Sequence, residues 1–161
     1  MSDEDQDLAA KVLWLTDIEE IKQLKARYCD RCDDGPYDAD GVAELFTEDA
    51  VWEGEGFGRF VGREAIRDFF RTGRSVFSFT IHQATNPIIE VDGDRARGRW
   101  YLLQPSTMVD GNRAIWLASH YEDEYARVGG RWLIRRLKTT TRFFTPYEDG
   151  WAKTPMWEIP S

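Results

Sequence analysis

The chain has 161 residues, of which 42% are hydrophobic, 14% aromatic and 31% charged, and 21 basic against 29 acidic side chains give a formal charge of −8. This length and composition predict one globular domain with a sizeable core and exclude global disorder. The negative charge makes nucleic acid and anionic membranes poor partners.

The N-terminal third is predicted to be helical. Residues 1–10 are predicted to be a frayed lead-in, and a capping box formed by Thr16 and Glu19 to begin the first helix. The apolar residues of this helix recur every three or four positions, which predicts a buried stripe. The stripe comprises Ile18, Ile21, Leu24, Tyr28 and Cys32, and the cations Lys22, Lys25 and Arg31 are predicted to lie on other faces. The glycine and proline of residues 34–36 are predicted to end the helix.

Shorter elements are expected next along the chain. The pattern predicts a helix at 40–46, a short strand at 50–52, a glycine-rich bend at 54–58 and a helix at 63–71.

Long strands dominate the second half of the prediction. Segments rich in β-branched and aromatic residues at about 95–109, 113–127 and 131–144 alternate with turn signals. Helices followed by an antiparallel meander indicate an α+β fold, and strands of this length indicate a strongly curved sheet. The tail from residue 145 has little periodicity and is expected to be ordered against the domain or a neighbouring subunit.

The two histidines differ in their predicted surroundings. Strand alternation places His120 on the outward face and turns its neighbour Tyr121 toward the core. His82 follows an apolar segment at the entry to the sheet, where it is either a core histidine or a functional one. Asp33 lies at the C-terminal end of the first helix, where the helix dipole disfavours an anion. It is therefore either a solvated loop aspartate or the partner of a nearby histidine.

The two cysteines indicate a cellular compartment and give no sign of a metal site or a structural disulfide. Cys29 and Cys32 lie too close together to staple a domain, and no second pair supports a metal site, so no metal is predicted. The acidic start lacks the features of a signal peptide, and no apolar run approaches the roughly 20 residues of a membrane-spanning helix. These features favour a reducing cytoplasm.

Several short motifs occur in an order and spacing that resemble one family. They are Tyr28-x4-Asp33, residues 45–52, His82 followed by Asn86-Pro87, residues 98–101, and Tyr121-x-Asp-Glu-Tyr125 leading to Trp132. Over roughly residues 12–147 the chain resembles the SnoaL-like branch of the nuclear transport factor 2-like superfamily. It is most similar there to bile-acid 7α-dehydratase, scytalone dehydratase and hexachlorocyclohexane dehydrochlorinase.

The resemblance implies a fold and a site. It implies a single domain over residues 1–161, with a cone-shaped, strongly curved mixed or antiparallel sheet around N-terminal helices, an apolar pocket, and a tail at 148–161 covering the pocket or a neighbour. It also implies a homo-oligomer, most often a trimer, that binds a small hydrophobic substrate. The implied acid–base pair is Asp33 and His82, acting without a cofactor, and Tyr28 matches the dehydratase tyrosine.

Two positions depart from these relatives. Gln104 stands where the bile-acid enzyme has an aspartate, and Leu137 stands where the dehydrochlorinase has its pocket arginine. A one-residue bulge would turn Lys138 or Arg142 inward instead. Loss of a hydroxyl is therefore favoured over halide elimination.

The sequence thus predicts a cofactor-independent lyase of the dehydratase type for a hydroxylated ring such as a steroid, polyketide or lignin-type aromatic. His82 is the predicted base, and Tyr28 with Tyr121 or Lys138 would bind the departing oxygen. The remaining predicted substrate-binding residues are Trp100, Gln104, Leu137 and Arg142. The open alternatives are an isomerase or a deformylase-like carbon–carbon lyase with the same pair, and a non-catalytic ligand carrier or oxygenase small subunit.

Overall fold

A computed structural model describes residues 2–33 and 38–158, without the side chain of Arg74, as four helices and seven strands. The helices are α1 (Asp3–Asp33), α2 (Ala39–Glu44), α3 (Arg63–Thr72) and α4 (Gly150–Lys153). The strands are β1 (Phe46–Gly54), β2 (Gly58–Val61), β3 (Phe77–Thr80), β4 (Gln83–Asp92), β5 (Arg95–Met108), β6 (Arg113–Val128) and β7 (Arg131–Pro146).

The strands form one curled mixed sheet with the order β2-β1-β7-β6-β5-β3, and β4 pairs with β5 as well. Strands β1 and β7 run parallel, and every other pair is antiparallel. The sheet curls around the N-terminal helices as a half-barrel, so the predicted α+β cone is confirmed. On β5 buried and exposed residues alternate strictly from Arg95 to Gln104, which is the pattern of a sheet with one face on the core.

The stripe of α1 that faces the sheet is the predicted one except for Ile18, which is only half-buried. Ile21, Leu24, Tyr28 and Cys32 are all buried, and they pack with β-strand residues in the core. Lys25 contradicts the prediction, because its side chain is 1% exposed and lies among these residues. The reason is its spacing, since position 25 follows Ile21 by four residues and precedes Tyr28 by three.

The start of α1 was predicted wrongly. The helix begins at Asp3, and the capping box is made by Ser2 and Asp5: Ser2 Oγ accepts from the Asp5 N–H at 3.1 Å, and Asp5 Oδ2 accepts from the Ser2 N–H at 3.0 Å. Thr16 lies inside the helix, where its hydroxyl donates to the Val12 carbonyl at 2.9 Å. The last residue of α1 is Asp33, and the predicted stop signal at 34–36 lies outside the described residues.

Most of the remaining elements follow the prediction closely, but no bounds were predicted for β2, β3 and β4. Helices α2 and α3 and strands β5 to β7 occur within a few residues of their predicted bounds. The strand predicted at 50–52 is longer, running from Phe46 to Gly54, because it pairs with both β7 and β2. No helix in residues 2–33 or 38–158 combines the length and the apolar character that a bilayer crossing requires.

The tail packs on its own chain as far as it is described. The Phe144 N–H donates to the Pro155 carbonyl at 3.0 Å, and the Trp157 N–H donates to the Phe144 carbonyl at 2.7 Å. The rings of Phe144 and Trp157 stack with centroids 5.9 Å apart. The tail therefore lies along β7.

Substitutions in α1 test this packing. Leu24→Ala is expected to lower the free energy of unfolding by about 2–5 kcal/mol, because it leaves a cavity between α1 and the sheet. Leu13→Ala, in the same helix but 67% exposed, is the matched control and is expected to change it by no more than about 0.5 kcal/mol. Urea unfolding followed by tryptophan fluorescence measures both, and equal losses would contradict the placement of α1.

Candidate functional site

A cavity of about 120 Å³ lies between α1, α3 and the inner face of the sheet. Seven aromatic residues line it: Tyr28, Trp52, Phe57, Phe69, Phe70, Phe77 and Tyr121. A few polar side chains interrupt that wall: Thr72, His82, Gln104, Ser119 and Thr139. Apolar walls with few polar groups are typical of small-molecule sites.

Asp33 and His82 meet at one end of this cavity. Asp33 is the last residue of α1, and His82 lies in the two-residue break between β3 and β4, both of which pair with β5. The His82 Nδ1 lies 2.6 Å from Asp33 Oδ1. The His82 backbone N–H also donates to the same carboxylate, at 3.0 Å from Oδ1 and 2.9 Å from Oδ2.

This geometry orients the imidazole. Because a carboxylate only accepts hydrogen bonds, Nδ1 carries the proton, and the lone pair of Nε2 is left for another partner. The side chains of Asp33 and His82 are 24% and 11% exposed, and His82 is the member of the pair that lines the cavity. A histidine held in this way can accept a proton at Nε2 while the carboxylate stabilises the resulting cation.

Two tyrosines of the cavity wall have buried phenol groups. Trp52 Nε1 donates to the Tyr28 hydroxyl at 3.0 Å, and the rings of Tyr28 and Tyr121 meet edge to face with centroids 6.4 Å apart. Burial raises the pKa of both phenols well above the usual value. They therefore stay neutral at physiological pH and can donate hydrogen bonds rather than act as bases.

Polar groups on β5 to β7 also line the cavity. Gln104 Nε2 donates to Ser106 Oγ at 3.1 Å, and Ser106 Oγ donates to Thr80 Oγ1 at 3.0 Å, which leaves the Gln104 amide oxygen for a ligand. Thr139 Oγ1 is buried at the cavity and has no hydrogen-bond partner within residues 2–33 and 38–158. A buried hydroxyl without a partner indicates that a ligand atom or a water completes it.

Four of the predicted substrate-binding residues do not line the cavity. Lys138 points outward from β7 toward Glu122, with Nζ 3.9 Å from Oε2, and Arg142 is exposed. Leu137 is fully buried in the core. Trp100 is also buried, and its Nε1 donates to the Tyr125 hydroxyl at 3.1 Å.

Bulges decide which side chains of β7 face inward. Ile134 and Arg136 pair with the consecutive residues Tyr125 and Glu124, so Arg135 is the extra residue of one bulge. Thr141 and Phe143 pair with Ser119 and Ala118 in the same way, so Arg142 is the extra residue of a second. Because of the first bulge, the side chain of Lys138 points outward and that of Thr139 points into the cavity. The expectation that a bulge would turn Lys138 inward is therefore wrong.

An ion pair behind the cavity was missed by the sequence reasoning. Lys25 Nζ lies 2.8 Å from Asp123 Oδ2, and both side chains are buried. Burial raises the pKa of the Asp123 carboxyl, and Lys25 opposes that shift. The available signal was the alternation of β6, because Tyr121, Asp123 and Tyr125 share the inward face and an inward carboxylate requires a buried partner.

Comparison with known proteins assigns this sequence to one family. A family model, described as SnoaL-like domain, matches residues 14–138. The chain therefore belongs to the SnoaL-like family of the NTF2-like superfamily.

Three individual proteins are similar to this chain in sequence or in structure. A hexachlorocyclohexane dehydrochlorinase from Sphingobium indicum is 33% identical over 107 residues, which cover 65% of this chain and 70% of that protein. A type 3 hexachlorocyclohexane dehydrochlorinase from Novosphingobium barchaimii has a similar structure, with a TM-score of 0.77 at 26% identity over 93% of this chain and 99% of that one. A scytalone dehydratase-like protein from Novosphingobium aromaticivorans has a TM-score of 0.75 over 91% and 97% of the chains, and its 22% identity supports the fold alone. The dehydrochlorinase relatives support a lyase-type function.

The unpartnered hydroxyl of Thr139 gives a test of the cavity wall. Thr139→Val is expected to leave the free energy of unfolding unchanged or raise it by up to about 1 kcal/mol, because it removes a buried group that lacks a hydrogen bond. Ser106→Ala is the control, and it is expected to lower that free energy by about 1–3 kcal/mol because Gln104 and Thr80 lose their shared partner. Denaturant unfolding measures both, and a large loss in Thr139→Val would show that its hydroxyl is bonded in the empty protein.

Proposed function

We propose that the protein is a cofactor-independent carbon–oxygen lyase that removes water from a hydroxylated ring compound. The observation that carries this proposal is the contact of His82 Nδ1 with Asp33 at the end of a ring-lined cavity. It is also supported by the family, whose dehydrochlorinase members carry out eliminations according to their names.

In the proposed reaction His82 Nε2 takes a proton from the carbon next to the one that bears the hydroxyl. The electrons of that C–H bond form the new double bond, and the C–O bond breaks. The departing oxygen accepts hydrogen bonds from Tyr28 or Tyr121 and takes the proton back from the imidazolium, which releases water and restores neutral His82. Asp33 stabilises the imidazolium between these two transfers.

The size of the cavity favours a small substrate. A volume of about 120 Å³ with walls of Trp52, Phe69 and Phe77 suits a single ring with short substituents better than a four-ring steroid. Among the substrates that the sequence analysis considered, we therefore propose a lignin-type aromatic or another monocyclic hydroxylated compound.

The polar wall favours an oxygen leaving group over chloride. Gln104, Ser119 and Thr139 offer hydrogen bonds that a hydroxylated ligand can use and a chlorinated one uses poorly. The resemblance implies that Leu137 stands where the dehydrochlorinase has its pocket arginine, and this buried leucine supplies no cation for halide departure.

Variants of His82, Asp33 and His120 test the assignment of the acid–base pair. His82→Ala is expected to lower kcat by about 10²–10⁴-fold, because general base catalysis contributes that much. Asp33→Asn is expected to lower kcat as well, since an amide cannot stabilise the imidazolium. His120→Ala is the matched control: His120 lies on the outer face of β6 against the Tyr101 ring, and this variant is expected to keep wild-type turnover.

The assay follows product mass and chloride in parallel. Monocyclic β-hydroxy compounds are incubated with enzyme, and loss of one water is scored by mass spectrometry, which also separates dehydration from isomerisation and from carbon–carbon cleavage. Hexachlorocyclohexane with a chloride electrode is the second arm. Wild-type rates in both His82→Ala and Asp33→Asn would contradict the assignment of these residues as the acid–base pair. Chloride release without any dehydration would contradict the proposal that the leaving group is an oxygen.

We also propose a homotrimer in the cytoplasm as the working form. The outer face of β4 and β5 exposes apolar side chains, namely Ile88, Tyr101 and Leu103, which an interface would cover. The thiols of Cys29 and Cys32 are free and buried, as expected in a reducing compartment. Size-exclusion chromatography with light scattering is expected to give three times the mass of one chain, and Tyr101→Glu is expected to lower it. A wild-type monomer would contradict the proposal.

A further inference from the structure

The ion pair of Lys25 and Asp123 has no part in the reaction described above. It joins α1 to β6 across 98 positions of sequence, and both side chains are almost completely buried. Asp123 Oδ2 also accepts from the Tyr125 hydroxyl at 2.8 Å, and that hydroxyl accepts from Trp100 Nε1 at 3.1 Å. Asp123 Oδ1 has no partner among the described residues.

The two charges of this pair lie at different depths behind the cavity wall. Lys25 Nζ lies 3.4 Å from the centroid of the Tyr121 ring and 5.0 Å from that of Tyr28. Both rings line the cavity, whereas Asp123, Tyr125 and Trp100 do not. The positive end of the pair therefore faces the cavity through two tyrosine rings, and the negative end faces away from it.

Stability alone does not account for such a pair. Two buried charges lose their hydration, and well-packed apolar residues of similar volume commonly replace an ion pair at no loss of stability. The unpartnered Asp123 Oδ1 adds a further unfavourable contribution. What the pair supplies, and an apolar replacement would not, is a fixed cation against the face of the cavity tyrosine Tyr121.

We propose that Lys25 is a positioning residue of the cavity, which polarises the Tyr121 phenol so that its hydroxyl is a stronger donor toward an anionic ring oxygen. A cation on the face of an aromatic ring draws electron density toward itself, and in a desolvated site this attraction is strong. The ligands that gain most are phenolates and enolates, in which negative charge resides on an oxygen attached to the ring. This inference rests on the proposed function, in which the Tyr121 hydroxyl donates a hydrogen bond to an oxygen of the substrate.

Binding of 4-nitrophenol tests the inference without any turnover. The neutral and ionised forms of this single-ring probe absorb at different wavelengths, so the affinity of each form is obtained by titration below and above its own pKa. Lys25→Met is expected to weaken binding of the phenolate by about tenfold and to leave that of the neutral phenol unchanged. Asp123→Asn leaves Lys25 buried without its counter-ion, which drives the ammonium toward its neutral form, so this variant is also expected to weaken binding of the phenolate selectively.

Two further variants guard against misfolding and misassignment. If Lys25→Met does not fold, the double variant Lys25→Met/Asp123→Asn removes both charges and is expected to show the same selective loss. In a Tyr121→Phe background the effect of Lys25→Met on phenolate binding is expected to disappear, because the hydroxyl through which it acts is gone. Circular dichroism and thermal unfolding check the fold of each variant.

The outcomes separate this inference from the proposed function. Parallel losses in Lys25→Met and Asp123→Asn, equal for both forms of the probe, indicate a purely structural pair and overturn the inference while the roles of His82 and Asp33 stand. Failure of the wild-type protein to bind either form overturns the inference together with the ring-binding cavity. Losses confined to the phenolate that vanish in Tyr121→Phe support it, even if His82→Ala proves to leave turnover unchanged.

Discussion

The contact of Asp33 with the His82 backbone and ring joins the C-terminal end of α1 to the break between β3 and β4. One carboxylate accepts the main-chain N–H and Nδ1 of the same residue, so it fixes both where the chain changes strands and how the imidazole is turned. That geometry requires α1 to lie within the curl of the sheet at one depth. The buried stripe of Ile21 and Leu24 sets this depth, so packing and site geometry depend on the same helix face.

The face of α1 that packs against the sheet carries both apolar and polar side chains. Tyr28 lines the cavity and Lys25 lies buried directly behind it, within the same run of side chains that packs against the sheet. Every polar group placed there needs a partner from the sheet, and Asp123, Trp52 and His82 supply them. Because the surroundings are apolar, each of these contacts is stronger than it would be in water, and each is costly to leave unpaired.

Periodicity was sufficient to predict the helix stripe and the long strands, because both depend on which residues are apolar. It failed where two local signals competed or where a polar residue was buried. Ser2 with Asp5 and Thr16 with Glu19 both have the sequence pattern of a capping box, but only the first forms the box and begins the helix, and the Thr16 hydroxyl instead donates to the Val12 carbonyl. Lys25 was placed outside because lysine is rarely buried without a partner, and its partner lies 98 positions away. The bulges at Arg135 and Arg142 arise from pairing within a curved sheet, which no local pattern records.

The Asp33–His82 pair and the polar groups of the cavity wall contribute differently to the choice of leaving group. A histidine oriented by a carboxylate removes a proton from carbon whichever group leaves, so the pair itself does not select between water and chloride. Selection must come from the groups that contact the leaving group as it develops charge. The polar part of the cavity wall contains Gln104, Ser119, Thr139 and the two tyrosines, all neutral groups that interact by hydrogen bonds. Neutral donors can follow an oxygen as it gains negative charge and then release it as water, whereas chloride gains little from them. The composition of this wall, rather than the resemblance of the pair, is therefore the basis for expecting an oxygen substrate.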